Sequence, residues 1–537
     1  MGTTRMGLFA ALVIALALSA GCAPSNNRRV EAAEEQYADF LDAAGALDTI
    51  DSGLVETFDG SDRPAWQARY EQILSSLEAA LAPIDDAALS NQNQRALASM
   101  RAGIGYRESS SLAPEGECAD AERPNATGAE LRAALYACFS SVGDAIQFEG
   151  RTYARVASLQ LLEHLSEPAR RRALFFAMAP LWRAVNGDNE ATSPYRRLIP
   201  AETERMRANI ARAEASLGLA PGGGEAWLVA ALEAWKESAA GAPIEPWDFR
   251  YRHAAGARAV EACAQVEPVR AANDRFFADL GADLDELGVI QDVGSRPGMA
   301  PVDYADFARV GRLVDGAWRP AAPRVSVLMQ EGGLGAAAEL AHENGHAAHY
   351  AAMRARPSLL LPDDITLAVE AFADITAWSV YDPAWQRKYL GCEGAQADGL
   401  RARLGAVVLD IAWGLFEIRM SRAPASDPNV VWTDITREYL NVAPHPELSW
   451  WAVRGQLVDD PGYMINYALG AFVTAEARAR IAEEIGPFDA GNARWYAFVS
   501  SRLYRHGGER ESAELLRGFL GRPVSPDALL GDLRRAG

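Results

Sequence analysis

The residues of this chain that are best suited to chemistry concentrate in one short segment. His342, Glu343 and His346 form the pattern H-E-x-x-H, and three of the seven histidines lie within residues 342–349. Residues four apart lie on one face of a helix, so both imidazoles can bind a single ion. Glu343 is rotated off that face, where it can act as a base toward a water molecule. The pattern predicts a zinc site that holds one Zn²⁺ per chain.

A catalytic zinc ion needs a third protein ligand and leaves a fourth position open. Glu370 follows His346 at a distance that allows a loop and a return on a second helix. Asp374 lies one turn beyond Glu370 and can accept the outer N–H of a ligating histidine, which we expect to be His342. We therefore predict His342, His346 and Glu370 as metal ligands and Asp374 as the group that orients an imidazole.

These segments resemble a known family. Residues 342–349 are similar to the H-E-x-G-H-A-x-H segment of the thimet oligopeptidase and oligoendopeptidase F family of zinc metallopeptidases. Residues 246–251 resemble its Pro/Ala-Trp-Asp-x-x-Tyr segment, residues 462–467 its Gly-Tyr-x-x-x-Tyr segment, and residues 507–523 its C-terminal segment. The resemblance covers roughly residues 160–537. It implies a channel between two helical lobes that admits short peptides and excludes folded proteins.

The chain also departs from that family. Glu370 and Asp374 form a Glu-x-x-x-Asp pattern more like that of angiotensin-converting enzymes and thermolysin. A histidine that the family often carries before the Gly-Tyr segment is missing, and Gly470 stands where a third tyrosine is common. These departures leave the zinc ligands unaffected, but they leave the subfamily and the transition-state hydrogen bonds open.

The resemblance places two tyrosines near the scissile carbonyl group. Tyr467 is the first candidate and Tyr463 the second for a hydroxyl group that donates to the oxyanion. Such a bond stabilises charge that forms only in the transition state. The alternative for both residues is packing of the ring in the core, with the hydroxyl group at its rim.

The periodicity and the resemblance predict an all-α, predominantly helical protein. We expect a two-lobed, zincin-type peptidase with a small edge β-element beside the active-site helix, an N-terminal helical lobe (36–320) and a catalytic lobe (321–537). The clearest strand signal is residues 324–330, a β-favouring run between Pro323 and Gly332. If residues 325–329 form an exposed edge, an extended peptide could pair there as an added strand.

The N-terminal segment resembles a targeting signal. Arg5 precedes a short apolar stretch that ends in Leu-Ser-Ala-Gly-Cys22, which resembles the lipobox of lipoproteins. We predict a lipoprotein signal peptide (1–22) with lipidation at Cys22, followed by a tether (23–35). Cleavage without lipidation remains the alternative. The expected location is the periplasmic side of a bacterial membrane, with the outer membrane favoured and a lipid anchor as the membrane contact.

Charge and cysteine content limit the partners further. A formal net charge of −20 is the wrong sign for a phosphate-binding surface, so we expect no nucleic-acid partner. We expect a monomer. Without Cys22 four cysteines remain, which allow three pairings or four free thiols. The most natural pair is Cys118 with Cys138, which would close a polar loop.

The predicted function is metal-assisted hydrolysis of short peptides, with Glu343 as the general base. One alternative is a peptidyl-dipeptidase that resembles angiotensin-converting enzyme, for which Arg454 could bind the free C-terminal carboxylate of the substrate. The other is a catalytically silent, metal-stabilised lipoprotein that binds peptides. Glu343 argues against the silent protein, because a purely structural zinc site needs no base and usually has four protein ligands.

The lipid anchor can be tested directly. Expressed in a bacterium, the full chain should become labelled by a palmitate analogue, because a lipobox cysteine is acylated. Cys22→Ala should abolish the label. A soluble wild-type protein without label would show that the signal peptide is removed by simple cleavage.

Overall fold

The computed structural model describes residues 25–54, 62–110, 118, 127–238, 241–296, 299 and 302–536. Most of these residues are helical, which confirms the predicted fold class. The predicted signal peptide and Cys22 lie outside the described residues. Within the described ranges, no helix has both the length and the apolarity needed to cross a membrane.

Three N-terminal helices form a small unit with its own core. They are α1 (Asn26–Asp51), α2 (Arg63–Leu81) and α3 (Asn91–Ser110). Because α1 begins at Asn26, most of the segment that we predicted as a tether (23–35) is folded. The reason is burial: Val30 and Ala33 are part of the small core between these helices.

The remaining helices surround one large hydrophobic core. The first group is α4 (Gly128–Gly143), α5 (Arg155–His164), α6 (Pro168–Ala177), α7 (Ala179–Asn186), α8 (Pro194–Ser216), α9 (Gly223–Ser238), α10 (Phe249–His253), α11 (Ala255–Ala259) and α12 (Val266–Asp279). The second group is α13 (Leu334–Ala352), α14 (Thr366–Ala377), α15 (Pro383–Trp385), α16 (Gln396–Arg422), α17 (Pro428–Tyr439), α18 (Gln456–Asp459), α19 (Met464–Ile485), α20 (Trp495–Arg502), α21 (Ser512–Leu520) and α22 (Asp527–Arg535).

A three-stranded sheet lies beside α13. Its strands are β3 (Ile290–Gly294), β4 (Tyr304–Arg309) and β7 (Ala322–Leu328), and β7 lies in the middle, parallel to β3 and antiparallel to β4. The expectation that residues 325–329 form an exposed edge is therefore wrong. Their apolar side chains are buried, as is common for a strand with neighbours on both sides.

The same sheet crosses the suggested lobe boundary near residue 320, since β3 and β4 precede it and β7 follows it. The other strands form two short antiparallel hairpins, β1 (Ile146–Phe148) with β2 (Arg151–Tyr153), and β5 (Arg312–Val314) with β6 (Ala317–Arg319).

Two disulfides join distant parts of the chain. Cys118 is bonded to Cys138, which confirms the pairing that we considered most natural. Cys263, which follows α11, is bonded to Cys392, which lies just before α16. Together they use all four cysteines that follow Cys22.

Helices α13 and α14 approach each other closely at Gly345. A Cβ atom there would lie 2.7 Å from both the carbonyl oxygen of Ala373 and the hydroxyl oxygen of Thr376. The Thr376 hydroxyl also donates to the carbonyl oxygen of Ala341 at 3.0 Å. Glycine between the two predicted histidine ligands thus allows the second helix to lie against the first.

We expect Gly345→Ala to separate α13 from α14. Overpacking of this kind typically costs about 1–3 kcal/mol, and the shift should also weaken metal binding. Urea unfolding and zinc content of the purified variant measure both effects.

Gly335→Ala is the matched control on the same helix. Its Cβ would meet its nearest neighbour at an ordinary 3.4 Å, so the substitution should leave zinc content unchanged. Equal behaviour of the two variants would show that the close contact at Gly345 is unimportant.

Candidate metal centre

Helices α13 and α14 bring the three predicted ligands together. The Nε2 atoms of His342 and His346 lie 3.1 Å apart, with the rings nearly perpendicular. One carboxylate oxygen of Glu370, Oε2, lies 3.4 Å from the first of these nitrogens and 3.6 Å from the second. Three atoms with lone pairs therefore converge on one point, as the spacing of the residues predicted.

The residues fit a zinc ion. Glu370 Oε2 is buried and has no hydrogen-bond partner, a costly state for a carboxylate unless a cation completes it. Among the described residues, this is the one group of three or more His, Cys, Asp or Glu side chains close enough to share an ion. Two imidazoles and one carboxylate form a common donor set for catalytic zinc, with the fourth position left open.

Asp374 orients His342 as predicted. Its Oδ1 atom lies 2.8 Å from Nδ1 of His342, so that nitrogen carries the proton and Nε2 keeps a lone pair for the ion. Burial alone would lower the pKa of His342, but the hydrogen bond to Asp374 and the nearby carboxylate of Glu370 raise it well above its usual value. For His346 burial prevails and lowers the pKa, which favours a neutral imidazole.

Tyr463 has a different partner from the one we expected. Its hydroxyl group donates to Oε1 of Glu370 at 2.5 Å, so it holds the free oxygen of the ligating carboxylate. Burial opposes ionisation of Glu370, but the two histidines outweigh it and hold the pKa of Glu370 far below its usual range. In this arrangement the hydroxyl proton of Tyr463 is directed at Oε1 of a predicted metal ligand.

Tyr467 retains its candidate role. Its hydroxyl oxygen lies 3.4 Å from the side-chain nitrogen of Gln456, which donates to it. Burial raises the pKa of Tyr467 well above its usual value, so the phenol keeps its proton at neutral pH. The hydroxyl group can therefore donate into the space beside the ligands.

Glu343 lies next to the ligands without joining them. Its side chain is buried, and one carboxylate oxygen has no hydrogen-bond partner. Burial raises the pKa of Glu343 well above its usual value, which makes its carboxylate a stronger base than an exposed one. This is the environment that a general base requires.

The ligands, Glu343 and Tyr467 all line one cavity of about 1030 Å³. Residues of helices α1, α3, α4 and α8 line the same cavity. Ion pairs fix the small N-terminal unit over this cavity: Glu34 pairs with Arg356 at 2.8 Å, and Arg95 with Asp364 at 2.7 Å.

The cations of the cavity wall are already paired. Among the described residues, three arginines line the cavity, and each forms an ion pair within 3.4 Å: Arg132 with Glu202, Arg205 with Asp460, and Arg212 with Asp363. Arg454, our candidate for binding a substrate carboxylate, pairs with Asp410 and is not among the residues that line the cavity.

Glu417 is a positioning residue that the sequence analysis missed. It is fully buried on α16 and accepts the backbone N–H groups of Gly462 at 2.6 Å and Met464 at 2.8 Å. Gly462 has φ +92°, a conformation that favours glycine, where the chain turns into α19. Glu417 thus holds the start of the helix that carries Tyr467. An acidic residue within the apolar stretch of α16, which also contains Asp410, was the available signal.

Neither a protein-family model nor a curated protein sequence matches this chain. Solved structures do. A putative oligoendopeptidase F matches with a TM-score of 0.54 and 14% identity, over 91% of this chain and 95% of that one. PZ peptidase A with an inhibitor matches with a TM-score of 0.52 and 13% identity, over 93% and 96%.

Metallocarboxypeptidase 1 of Trypanosoma cruzi matches with a TM-score of 0.51 and 15% identity, over 95% of this chain and 99% of that one. At these identities the likeness concerns the fold. The chain shares nearly its whole architecture with helical peptidases, which extends the resemblance noted in the sequence beyond residues 160–537.

We expect near-stoichiometric zinc in the purified protein and its loss in Glu370→Ala. The substitution removes one of three converging donors, and the two imidazoles alone should bind the ion much more weakly. Elemental analysis after gel filtration measures the occupancy. Full occupancy in the variant would contradict the assignment of Glu370 as a ligand.

Proposed function

We propose that this protein is a zinc-dependent peptidase that hydrolyses short peptides. The observation that carries the proposal is the position of Glu343, a buried carboxylate with a free oxygen beside three converging metal ligands and facing the same cavity. A structural metal site has no use for such a base. The names of the proteins that share this fold support the same class of activity.

The reaction follows from the groups around the cavity. When bound, a zinc ion polarises a carbonyl group and makes a water molecule more acidic. Glu343 takes the proton of the attacking water and later delivers it to the leaving amine. Tyr467 donates a hydrogen bond to the oxyanion, while Tyr463 and Asp374 hold Glu370 and His342 in place.

The shape of the cavity supports short peptides as substrates. A volume of about 1030 Å³ is at the upper end of ordinary ligand pockets, so it accommodates a few residues of extended chain. Residues 302–305, at the start of β4, line it. β4 and not β7 lies at the sheet margin, and α1 packs against its carbonyl groups at Phe307 and Ala308. We therefore assign the start of β4, residues 302–305, as the segment along which a peptide extends.

The paired arginines favour an oligopeptidase over the peptidyl-dipeptidase alternative. An enzyme that removes residues from the C-terminus needs a cation for the free carboxylate of its substrate. Among the described residues that line the cavity, each arginine already has an acidic partner. A substrate carboxylate would have to displace one of these pairs.

We also propose that the protein is exported and anchored through Cys22. Two disulfides, Cys118–Cys138 and Cys263–Cys392, support this location, because structural disulfides persist mainly in oxidising compartments.

Glu343→Gln should separate chemistry from metal binding. The amide keeps the size of the side chain but cannot accept a proton from water, so peptide hydrolysis should fall by about 10²–10⁴-fold. Zinc content should remain that of the wild type. Cleavage of a peptide library, followed by mass spectrometry with and without a chelator, measures the rate.

Tyr467→Phe provides the comparison. It should keep zinc and peptide affinity and lower the rate by about 10²–10³-fold through loss of an oxyanion hydrogen bond. A silent binding protein would instead bind peptides equally in all three forms and hydrolyse none. Wild-type turnover in Glu343→Gln with zinc in place would refute the mechanism.

A further inference from the structure

Asp303 is a buried carboxylate at the edge of the catalytic cavity that the mechanism does not use. It immediately precedes β4 and lines the cavity together with His342 and Glu343. Its side chain is only 8% exposed. Oδ1 accepts the backbone N–H of Leu328 at 2.7 Å, whereas Oδ2 is buried and has no hydrogen-bond partner.

Asp306, an acidic residue within β4, has the ion pair that Asp303 lacks. Asp306 is paired with Arg324, whose guanidinium donates to both carboxylate oxygens. Among the described residues, Asp303 has no such ion pair. The charge of Arg155 acts on Asp303, but no ion pair joins the two side chains; Nη1 of Arg155 donates to the carbonyl oxygen of Val453, and its Nε is buried without a hydrogen-bond partner.

Burial, reinforced by the nearby charge of Glu339, raises the pKa of Asp303 to about 8, although the charges of Arg155 and His342 act in the opposite direction. The charges of Asp303 and Glu339 also act on Glu343, and Asp303 and Glu343 line the same cavity as the metal ligands. A cation that reached Asp303 would stabilise its ionised form and complete its free oxygen.

We propose that Asp303 binds a cationic N–H group of the peptide substrate in the subsite next to the metal centre. The group is either a free α-ammonium or the side chain of lysine or arginine, both of which donate charged hydrogen bonds to a carboxylate. The proposal rests on the peptidase function proposed above and specifies its substrate class. The bound cation pairs with Asp303 in the same way as Arg324 pairs with Asp306.

The test compares matched peptides with the zinc-loaded wild-type protein and with Asp303→Asn. One series changes lysine to norleucine at each position in turn, and the other compares free with acetylated N-termini. The wild type should favour the cationic member of at least one series by about 10–100-fold in kcat/KM, mostly through KM. The series that shows the preference identifies the source of the cation.

Asp303→Asn should abolish that preference while cleavage of the neutral peptides stays within about threefold of wild type. Asparagine has the same shape and still accepts the N–H of Leu328, and zinc content with the unfolding midpoint verifies the fold. Asp460→Asn is the control. Asp460 lines the same cavity, but it forms an ion pair with Arg205 at 2.7 Å, so its removal should leave the preference intact.

The possible failures are distinct. A wild type that cleaves neutral and cationic peptides equally well, or an Asp303→Asn variant that keeps the preference, overturns the role of Asp303 and leaves the peptidase function standing. An equal loss on all peptides in Asp303→Asn also overturns it, because it would show an effect on Glu343 and not on a substrate cation. A wild type that hydrolyses no peptide refutes the peptidase function, and the assignment of Asp303 fails with it.

Discussion

The metal site can form only if α13 and α14 pack closely against each other. Two histidines on one helix present two nitrogens, but the third ligand must come from a separate helix at a fixed distance. Gly345 permits that distance, since a side chain there would collide with Ala373 and Thr376. The Thr376 hydroxyl then ties the two helices together. This packing places Glu370 beside His342 and His346, and Asp374 within hydrogen-bond distance of His342.

A second layer of packing holds the groups that surround this pair of helices. Helix α19 packs on α14, where the Thr474 hydroxyl donates to the carbonyl oxygen of Ala371 at 3.0 Å. Glu417 on α16 holds the start of α19 through two backbone N–H groups. The phenol of Tyr463 thereby reaches Glu370. The position of one metal ligand thus depends on a buried carboxylate that lies 47 residues away in sequence.

The chemistry of the site was largely predictable from sequence because it depends on local spacing. The period of a helix places His342 and His346 on one face and Asp374 one turn beyond Glu370, and these relations hold whatever surrounds them. The helical fold class followed from the same periodicity. The pairing of β7 was not predictable, because a short apolar strand indicates burial but does not identify its neighbours.

The contacts of Tyr463, Glu417 and Asp303 were not predictable either, because each depends on how distant segments pack. Tyr463 meets a carboxylate 93 residues away, and Asp303 meets a backbone group across the sheet. The family resemblance implied that both phenols lie near the scissile carbonyl group, yet the hydroxyl group of Tyr463 donates to Glu370. The sequence identified Tyr463 and Tyr467 as candidates, and tertiary packing determines which partner each hydroxyl group has.

The charged groups that line the cavity differ in whether they have partners. Each arginine on its wall is neutralised by an acidic partner, whereas Glu370, Glu343 and Asp303 each retain a buried carboxylate oxygen without a hydrogen bond. Such oxygens are costly in the free protein, because each has lost its hydration without gaining a donor. Each can be completed by a different positive partner: a metal ion, the proton of a water molecule, and an N–H group of a substrate. The free oxygen of Glu370 thus marks where the ion is held, that of Glu343 where the peptide bond is cleaved, and that of Asp303 where the peptide is recognised.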